Sequence, residues 1–164
     1  MFGNLFSFPN PVNEYAARTV AACVLILTLI TSLTLWLPIA VFLAYGFTAR
    51  VLTGPTLSPI GLLATRVIVP SIIKKEKNVA GPPKRFAQAV GFLFSTSALL
   101  LLISDQAAIA RTLYLVLALF AALESIISFC AGCWAFALLM RVGLIPEKVC
   151  IECNNLNFGG TRSD

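Results

Sequence analysis

Long apolar runs that carry almost no charge decide what this chain can fold into. Residues 19–36 and 86–103 contain no Asp, Glu, Lys or Arg. A helix at the surface of a soluble protein keeps one polar face, and neither run provides one. The chain has 164 residues, of which 59% are hydrophobic and 12% charged, which is about half the charged fraction of an ordinary soluble domain. The sequence therefore predicts a membrane protein and excludes a water-soluble globular or a disordered one.

Four stretches are apolar enough to cross a bilayer. About 20 residues of helix cover the hydrocarbon layer, which is about 30 Å thick. Pro38 suits the first turn of a helix and is poorly tolerated inside one, so it separates the first two stretches. We predict an all-α membrane protein with four transmembrane helices in two antiparallel hairpins. Within a transmembrane domain of residues 19–141, the predicted spans are 19–36, 37–52, 86–103 and 111–141.

The basic residues are distributed unevenly between the two sides of these spans. Lys and Arg are retained on the cytoplasmic side during insertion. Eleven of the twelve fall on one side, and Arg111 alone lies on the other. We therefore predict a cytoplasmic N-terminal segment 1–18, a central cytoplasmic loop 53–85 and a cytoplasmic tail 142–164. The net charge of +5 then faces anionic lipid headgroups, and no nucleic-acid partner is needed to explain it.

The central loop contains a helix start and a polar stretch. Ser58 followed by Pro59 is typical of a helix N-terminus, with Ser as the cap and Pro at the first helical position. The apolar residues of 60–69 are too few to span the bilayer, so they predict a helix that lies at the cytoplasmic interface. Residues 74–84 are polar and contain Gly81-Pro82-Pro83, and we expect a mobile linker there.

Cysteine carries most of the chemistry that this sequence offers. The chain has no histidine, which removes the commonest general base and the nucleophile pairs that depend on it. Four of its five cysteines form two pairs, Cys130-Ala-Gly-Cys133 and Cys150-Ile-Glu-Cys153, whose spacing fits a four-thiolate zinc site. Cys23 lies alone in the first span, where cysteine usually serves as a small apolar side chain.

The length of the fourth stretch bears on whether the first cysteine pair can react. Residues 111–141 number thirty-one, or about 46 Å of continuous helix, which exceeds the hydrocarbon thickness. The excess must project, tilt or break, and Gly132 is the expected weak point. A break there would expose Cys130 and Cys133 near the cytoplasmic headgroups.

Glu124 is the second candidate for function. It lies near the middle of the predicted fourth span, where an ionisable side chain is costly and is a functional candidate by default. One alternative is a protonated acid that is hydrogen-bonded to Ser95, Thr96 or Ser97 of the third span. The other is a proton acceptor that is coupled to thiol chemistry.

Two kinds of thiol chemistry fit a cytoplasmic site. Cytoplasmic thiols are kept reduced, so permanent structural disulfides are not expected. In a redox or sulfur relay, a thiolate of the tail pair attacks an oxidised or persulfidated partner and passes electrons or sulfur to the membrane pair by thiol exchange. In soft-metal binding, the four thiolates hold zinc or transfer copper or mercury. Both require the tail to fold back, and Ile145-Pro146-Glu147 provides the expected bend.

Three runs of residues resemble one known family. They are Leu57-Ser58-Pro59-Ile60-Gly61-Leu62-Leu63, then Arg85-Phe86-Ala87-Gln88-Ala89-Val90-Gly91, then Phe129-Cys130-Ala131-Gly132-Cys133. Over about residues 11–141 the chain resembles the bacterial integral membrane proteins catalogued as domain of unknown function 4395. The resemblance implies a small four-helix protein of the bacterial cytoplasmic membrane, of unassigned activity, in which Cys130 and Cys133 match the family's cysteine motif. It also implies thioredoxin-like or sulfur-transfer proteins as partners.

The resemblance has two limits within this chain. In that family an acidic residue often follows the second cysteine, and here Trp134 occupies the place. The tail pair lies outside the part of the chain that the resemblance covers. The use of four cysteines therefore rests on this sequence alone.

The leading functional hypothesis is a thiol-based redox or sulfur relay at the cytoplasmic face. Its candidate catalytic residues are Cys130, Cys133, Cys150, Cys153 and Glu124. One alternative is a noncatalytic accessory subunit of a larger membrane complex, and the other is binding of zinc or another soft metal by the same four cysteines. Whether the chain is an enzyme stays open.

Overall fold

Within residues 10–74 and 77–146, which the computed structural model describes, two helical hairpins are each followed by a shorter helix. The helices are α1 (Glu14–Thr34), α2 (Leu37–Thr53), α3 (Pro59–Leu62), a π-helix that continues α3 (Leu63–Ile73), α4 (Gly81–Ile103), α5 (Ala107–Ile127) and α6 (Ala131–Arg141). Two short strands, β1 (Val12–Asn13) and β2 (Asn78–Val79), lie just before α1 and α4.

The first hairpin is defined by local sequence signals. α1 begins where the Asn13 side chain accepts a hydrogen bond from the Tyr15 N–H at 3.0 Å, and it ends at Leu35 in the left-handed region. Pro38 lies in the first turn of α2, where its missing N–H is not needed. Because only two residues separate the helices, α1 and α2 run antiparallel.

The four long helices pack as a bundle with small side chains inside. α1 packs against α5, α5 against α4, α4 against α2, and α2 against α1. Alanine and hydroxyl side chains fill much of the interior, whereas many large apolar side chains face outward. Buried hydroxyls such as Thr28 and Thr31 donate to carbonyls of the preceding turn at 2.8 and 2.7 Å. This distribution is typical of helices that pack in lipid, where close approach of small residues drives association.

Three helices of the described chain are long and apolar enough to cross a membrane. α1, α4 and α5 have 21, 23 and 21 residues, which corresponds to about 31–35 Å of helix. α2 has 17 residues and is shorter than these three. The prediction of an all-α protein with membrane-type helices is thus confirmed, with three helices that satisfy both length and composition.

The predicted fourth span is two helices rather than one. α5 ends at Ile127, Ser128 adopts the left-handed region with φ of 59°, and α6 begins at Ala131. The break therefore lies just before Gly132, so the expectation of a weak point at that glycine was wrong in position. α6 has 11 residues, about 16 Å of helix, which is too short to span.

An arginine from another helix caps the end of α5 at this break. The Arg18 guanidinium of α1 donates to the carbonyl of Ser125 at 3.0 and 3.2 Å and to that of Ile126 at 3.2 Å. A continuing helix would use these two carbonyls to bind N–H groups four residues later. A cation at a helix C-terminus also interacts favourably with the helix dipole, so Arg18 stabilises the end of α5.

The stretch predicted as a mobile linker contains regular structure, so that prediction was wrong. β2 pairs antiparallel with β1, with Val12 opposite Val79, and the Glu14 N–H donates to the Lys77 carbonyl at 2.8 Å. The Lys77 ammonium also lies 2.7 Å from the Glu14 carboxylate. α4 begins as early as Gly81, because the two prolines that follow fit a first helical turn.

The predicted helix over 60–69 is present and longer than expected. It begins at Pro59, where the Ser58 hydroxyl accepts a hydrogen bond from the Gly61 N–H at 3.3 Å. It continues through Pro70 to Ile73 in the wider π-helical geometry and packs against α1.

Two glycines allow other helices to approach α4 closely. A Cβ atom at Gly132 would lie 2.6 Å from the Cα of Ala87, so the start of α6 contacts the backbone of α4. A Cβ atom at Gly91 would overlap the ring of Phe47, through which α2 packs on α4. Gly132 therefore determines where the cysteines on either side of it lie relative to α4.

We expect Gly132→Ala to destabilise the protein, although alanine favours helix more than glycine by about 1 kcal/mol. The added methyl group forces α6 away from α4, and such overpacking costs about 1–3 kcal/mol. Thermal unfolding of the purified protein in detergent measures the effect. Ala131→Ser is the matched control, because it also adds one heavy atom to the start of α6. Equal melting midpoints for Gly132→Ala and wild type would contradict the close packing.

Candidate functional site

Cys130 and Cys133 lie at the N-terminus of α6. Cys130 is the N-cap residue, and its sulfur accepts a hydrogen bond from the Cys133 N–H at 3.3 Å. Both side chains are half-buried free thiols. The first N–H groups of a helix lack partners within the helix and favour negative charge. A thiolate at Cys130 is therefore stabilised by its position.

The two thiols differ in acidity. A hydrogen bond with the Cys133 side chain lowers the pKa of Cys130, and burial opposes this effect. The same hydrogen bond raises the pKa of Cys133, and burial raises it further. The charge of Lys84 lowers the pKa of both thiols, whereas that of Glu124 raises it. Because the thiolate is the nucleophilic form of cysteine, Cys130 is the better nucleophile of the pair.

Glu124 forms an ion pair with Lys84. The Lys84 ammonium lies 2.5 Å from the carboxylate, and the two side chains are only 10% and 14% exposed. The carboxylate thus contacts an ammonium group and not the hydroxyls of residues 95–97. Glu124 also lies in the last turn of α5 rather than at the middle of a span, because α5 ends at Ile127. We call Cys130, Cys133, Lys84 and Glu124 the thiol site.

Two cavities meet at Cys130. The first, which we call the cysteine cavity, has a volume of about 440 Å³ and is lined by Cys130, Cys133 and Lys84 together with the strand segment around Lys77. The second has a volume of about 230 Å³ and lies between the long helices, where Cys130 and Glu124 line it with mostly apolar side chains. Cys130 therefore lines a cavity on each of two sides.

Arg50 forms a second polar cluster at the same end of the bundle. It is 4% exposed, its Nε donates to Gln88 Oε1 at 2.7 Å, and its Nη1 donates to the Ser58 hydroxyl at 3.1 Å. Its guanidinium carbon lies 4.4 Å from the centre of the Phe47 ring. Gln88 lies one helical turn after Lys84 on α4, so the two polar clusters are adjacent.

The predicted site residues are brought together only in part. Cys130, Cys133 and Glu124 lie in one site, whereas Cys150 and Cys153 lie outside the described residues. Cys23 packs beside the interior of the bundle as a half-buried side chain. Among residues 10–74 and 77–146, no three Cys, Asp or Glu side chains gather to hold a metal ion. A four-thiolate metal site would therefore need the tail pair.

Sequence reasoning missed the roles of Lys84 and Arg50. Both were counted among the basic residues that set orientation, but both are buried, at 8% and 4% exposure. A signal was present in the sequence, because Lys84, Gln88 and Gly91 have the i, i+4, i+7 spacing of a single helix face. It was hidden because the polar stretch before residue 86 was assigned to a loop.

Comparison with known proteins identifies a family but no activity. The family model described as "Domain of unknown function (DUF4395)" matches residues 12–141. No curated protein and no solved structure matches the chain.

We expect strong energetic coupling between Lys84 and Glu124. Removing one partner leaves a buried charge unpaired, which costs about 3–5 kcal/mol, whereas replacing both by apolar side chains is often neutral. Lys84→Met and Glu124→Leu should therefore each lower the melting midpoint, and the double variant should recover most of the loss. A double-mutant cycle measured by unfolding in detergent tests this.

The ion pair between Lys77 and Glu14 provides the matched control, because the Glu14 side chain is 13% exposed and the Lys77 side chain 65%, so that only the cation differs in burial from the first pair. Water around the Lys77 ammonium screens this pair, so the corresponding cycle should show weaker coupling than the cycle of Lys84 and Glu124. Equal coupling in the two cycles would show that burial gives the Lys84 and Glu124 pair no special importance.

Proposed function

Because the chain belongs to the DUF4395 family, whose description assigns no activity, we propose a function from geometry: a dithiol relay in a membrane. The relay passes electrons or sulfur between a soluble carrier and a second thiol pair through Cys130 and Cys133. The chain then acts at the surface of the bilayer on sulfur groups of other molecules.

One observation carries this proposal. Two free thiols lie at a helix N-terminus, with the pKa of Cys130 lowered and that of Cys133 raised, and both line the same 440 Å³ cavity. Buried cysteines that only fill space are inert, and reactive ones have a lowered pKa and an accessible position. The opposite pKa shifts suit Cys130 as the attacking nucleophile and Cys133 as the thiol that resolves the mixed disulfide.

The redox step is a pair of thiol–disulfide exchanges. The Cys130 thiolate attacks one sulfur of a disulfide on a thioredoxin-like carrier, so a mixed disulfide forms and the other carrier sulfur leaves as a thiolate. Cys133 then loses its proton and attacks the Cys130 sulfur. The Cys130–Cys133 disulfide forms, the second carrier thiolate leaves, and the carrier has gained two electrons.

Glu124 is the proton acceptor that we assign to the resolving step. It lines the inner cavity together with Cys130, and its pairing with Lys84 keeps it in place. The proton of Cys133 passes to the carboxylate and then to the departing carrier thiolate, so no proton is left over. In the sulfur version of the relay, Cys130 attacks the outer sulfur of a carrier persulfide and becomes a persulfide itself, and the carrier thiol is released.

The tail pair is the electron donor that we propose for the next step. Cys150 and Cys153 would reduce the Cys130–Cys133 disulfide and become a disulfide in turn. Soft-metal binding by the same four thiols would give a different product, a stable metal complex in place of a disulfide. An accessory subunit whose cysteines only fill space would form neither the disulfide nor the metal complex.

The relay would operate at the cytoplasmic face of a bacterial membrane. We propose that α2 also crosses the bilayer, since it packs along α4 and is joined to α1 by a two-residue turn, and 17 residues is the lower limit for a span. With four spans, the thiol site, Arg18, Arg50 and Lys77 all lie on the side that carries the basic residues, which is cytoplasmic by the positive-inside rule.

We expect Cys130 to react with iodoacetamide at lower pH than Cys133. Because its pKa is lowered, Cys130 has more thiolate than an ordinary thiol at the same pH. At pH 7 we expect Cys130 to be alkylated about tenfold faster than Cys133 or more, because the thiolate is the form that reacts. Peptide mapping by mass spectrometry over a pH series measures both rates in a Cys23→Ala variant.

Three further outcomes distinguish the alternatives. Oxidised glutathione should yield a Cys130–Cys133 disulfide in the wild type, and a glutathione adduct on Cys130 in Cys133→Ser. A polysulfide donor should add one sulfur to Cys130 if sulfur is transferred. Persistent unreactivity of both thiols in the folded protein would eliminate the relay and leave a packing role in a larger complex.

We expect the thiol site and the turn between α4 and α5 to face opposite compartments. A membrane-impermeant maleimide should label Cys130 in inverted membrane vesicles but not in intact spheroplasts, when the other cysteines are replaced by serine. Asp105→Cys in a cysteine-free chain should show the reverse pattern. Labelling of both sites from one side would refute the proposed topology.

A further inference from the structure

The cavity between the long helices extends from the thiol site into the apolar part of the bundle. This inner cavity of about 230 Å³ is lined by residues of α1, α2, α4, α5 and the start of α6. Along α5 its wall reaches from Glu124 back to Leu117, which is about 10 Å of helix. Because α1, α4 and α5 are long and apolar enough to cross a membrane, the deeper part of the cavity lies among membrane-type helices.

The wall of the inner cavity is apolar except at one end. Among the described residues that line it, the polar side chains are Gln88, Glu124 and Cys130, and the others are alanine, glycine, valine, leucine and phenylalanine. In another protein, an engineered apolar cavity of about 150 Å³ stays dry and binds benzene. The inner cavity therefore favours an apolar ligand with the size of one substituted six-membered ring and a polar group at one end.

Three phenylalanine side chains favour a planar ring in this space. Phe47 lines the cavity from α2, and Phe94 and Phe120 line it from α4 and α5. The rings of Phe94 and Phe120 contact each other edge to face, with their centres 6.0 Å apart. Aromatic rings pair with other rings edge to face or with an offset, which adds to the energy of apolar burial. A rigid ring also loses less conformational entropy on binding than a flexible alkyl chain does.

The polar end of the inner cavity provides a hydrogen-bond donor and a proton carrier. Arg50 Nε donates to Gln88 Oε1 at 2.7 Å, so the N–H groups of the Gln88 amide are left to meet a ligand. An amide nitrogen is a donor only, and a carbonyl oxygen is a suitable partner for it. Glu124, whose carboxylate is paired with Lys84, is the proton carrier at the same end.

The neighbouring thiols determine which kind of ring compound suits this cavity. Cys130 lines the inner cavity as well as the cysteine cavity, so it has an apolar ligand space in addition to the space that we assign to a soluble carrier. A dithiol gives up two electrons when it becomes a disulfide, and two protons leave with them. Quinones are membrane-soluble six-membered rings with carbonyl oxygens, and they accept two electrons and two protons.

We infer that the inner cavity binds a quinone and that the Cys130–Cys133 dithiol reduces it to a quinol. The inference rests on the proposed dithiol relay and adds an electron acceptor on its lipid side. The Cys130 thiolate adds to a ring carbon, and a carbon–sulfur bond forms. The Cys133 thiolate then attacks the Cys130 sulfur, so the disulfide forms, the carbon–sulfur bond breaks, and its electron pair stays with the ring.

The protons of this reaction balance. The proton of Cys133 passes through Glu124 to one oxygen of the quinol. The other oxygen takes up from water the proton that Cys130 released when it became a thiolate. Two thiols and one quinone thus give one disulfide and one quinol, and reduction of the disulfide by the tail pair prepares the site for another quinone.

Anaerobic reaction of the purified protein with duroquinone, a tetramethylbenzoquinone, tests the inference. All ring positions of this quinone are substituted, so it does not remain attached to a thiol. In a chain that carries Cys23→Ala, Cys150→Ser and Cys153→Ser, we expect one quinol, measured by absorbance, for each Cys130–Cys133 disulfide, measured by mass spectrometry. Parallel samples receive oxidised glutathione, a water-soluble oxidant.

Ala135→Leu should slow the reaction with duroquinone about tenfold or more, because Ala135 lines the inner cavity and a single carbon atom that does not fit a pocket already changes a rate by about that factor. The reaction with oxidised glutathione should stay the same, since Ala135 does not line the cysteine cavity. Ala122→Leu is the matched control. Ala122 is also half-buried but lines neither cavity, so this variant should react with both oxidants at the original rate.

A competition experiment gives the same information without a substitution in the cavity. Tetramethylbenzene has the shape of the quinone but accepts no electrons, so it should slow the reaction with duroquinone and leave that with oxidised glutathione unchanged. The quinone site is overturned if oxidised glutathione forms the disulfide and duroquinone does not, or if neither Ala135→Leu nor tetramethylbenzene slows quinol formation. Unreactivity toward both oxidants would refute the dithiol relay and the quinone site with it.

Discussion

The ion pair between Lys84 and Glu124 joins the beginning of α4 to the end of α5, and the geometry of the whole functional end depends on it. The two helices belong to one hairpin and pack against each other, and the ion pair fixes how their ends lie at the side opposite the turn. The pair holds them together, and α6 then packs back on α4 through Gly132. Cys130 and Cys133 consequently lie beside a buried ammonium group, but the hydrogen bond between the two side chains gives Cys130 a lowered pKa and Cys133 a raised one.

The charged end contrasts with the rest of the bundle, where alanine, serine and threonine provide tight packing and no ionisable group is needed. Buried charges contribute little net stability, since the cost of removing them from water offsets their attraction. An apolar end would therefore serve the fold equally well. Two buried cations, one carboxylate and two thiols gathered at one end are better explained by chemistry than by stability, because perturbed ionisable groups concentrate at functional sites.

The sequence was sufficient for the helical class and for the hairpins, because both follow from apolar length and from the prolines and turn residues between runs. It could not predict where α5 ends. Apolar residues continue beyond Ser128, and the end of α5 is capped by Arg18, which lies more than 100 residues earlier and binds the carbonyls of the last turn. Lys84 and Arg50 were likewise counted only as basic residues that set the orientation of the chain in the membrane. Their burial depends on tertiary contacts that no local sequence pattern contains. Cys130, Cys133 and Glu124 could be selected from residue type and position alone, but their proximity could not.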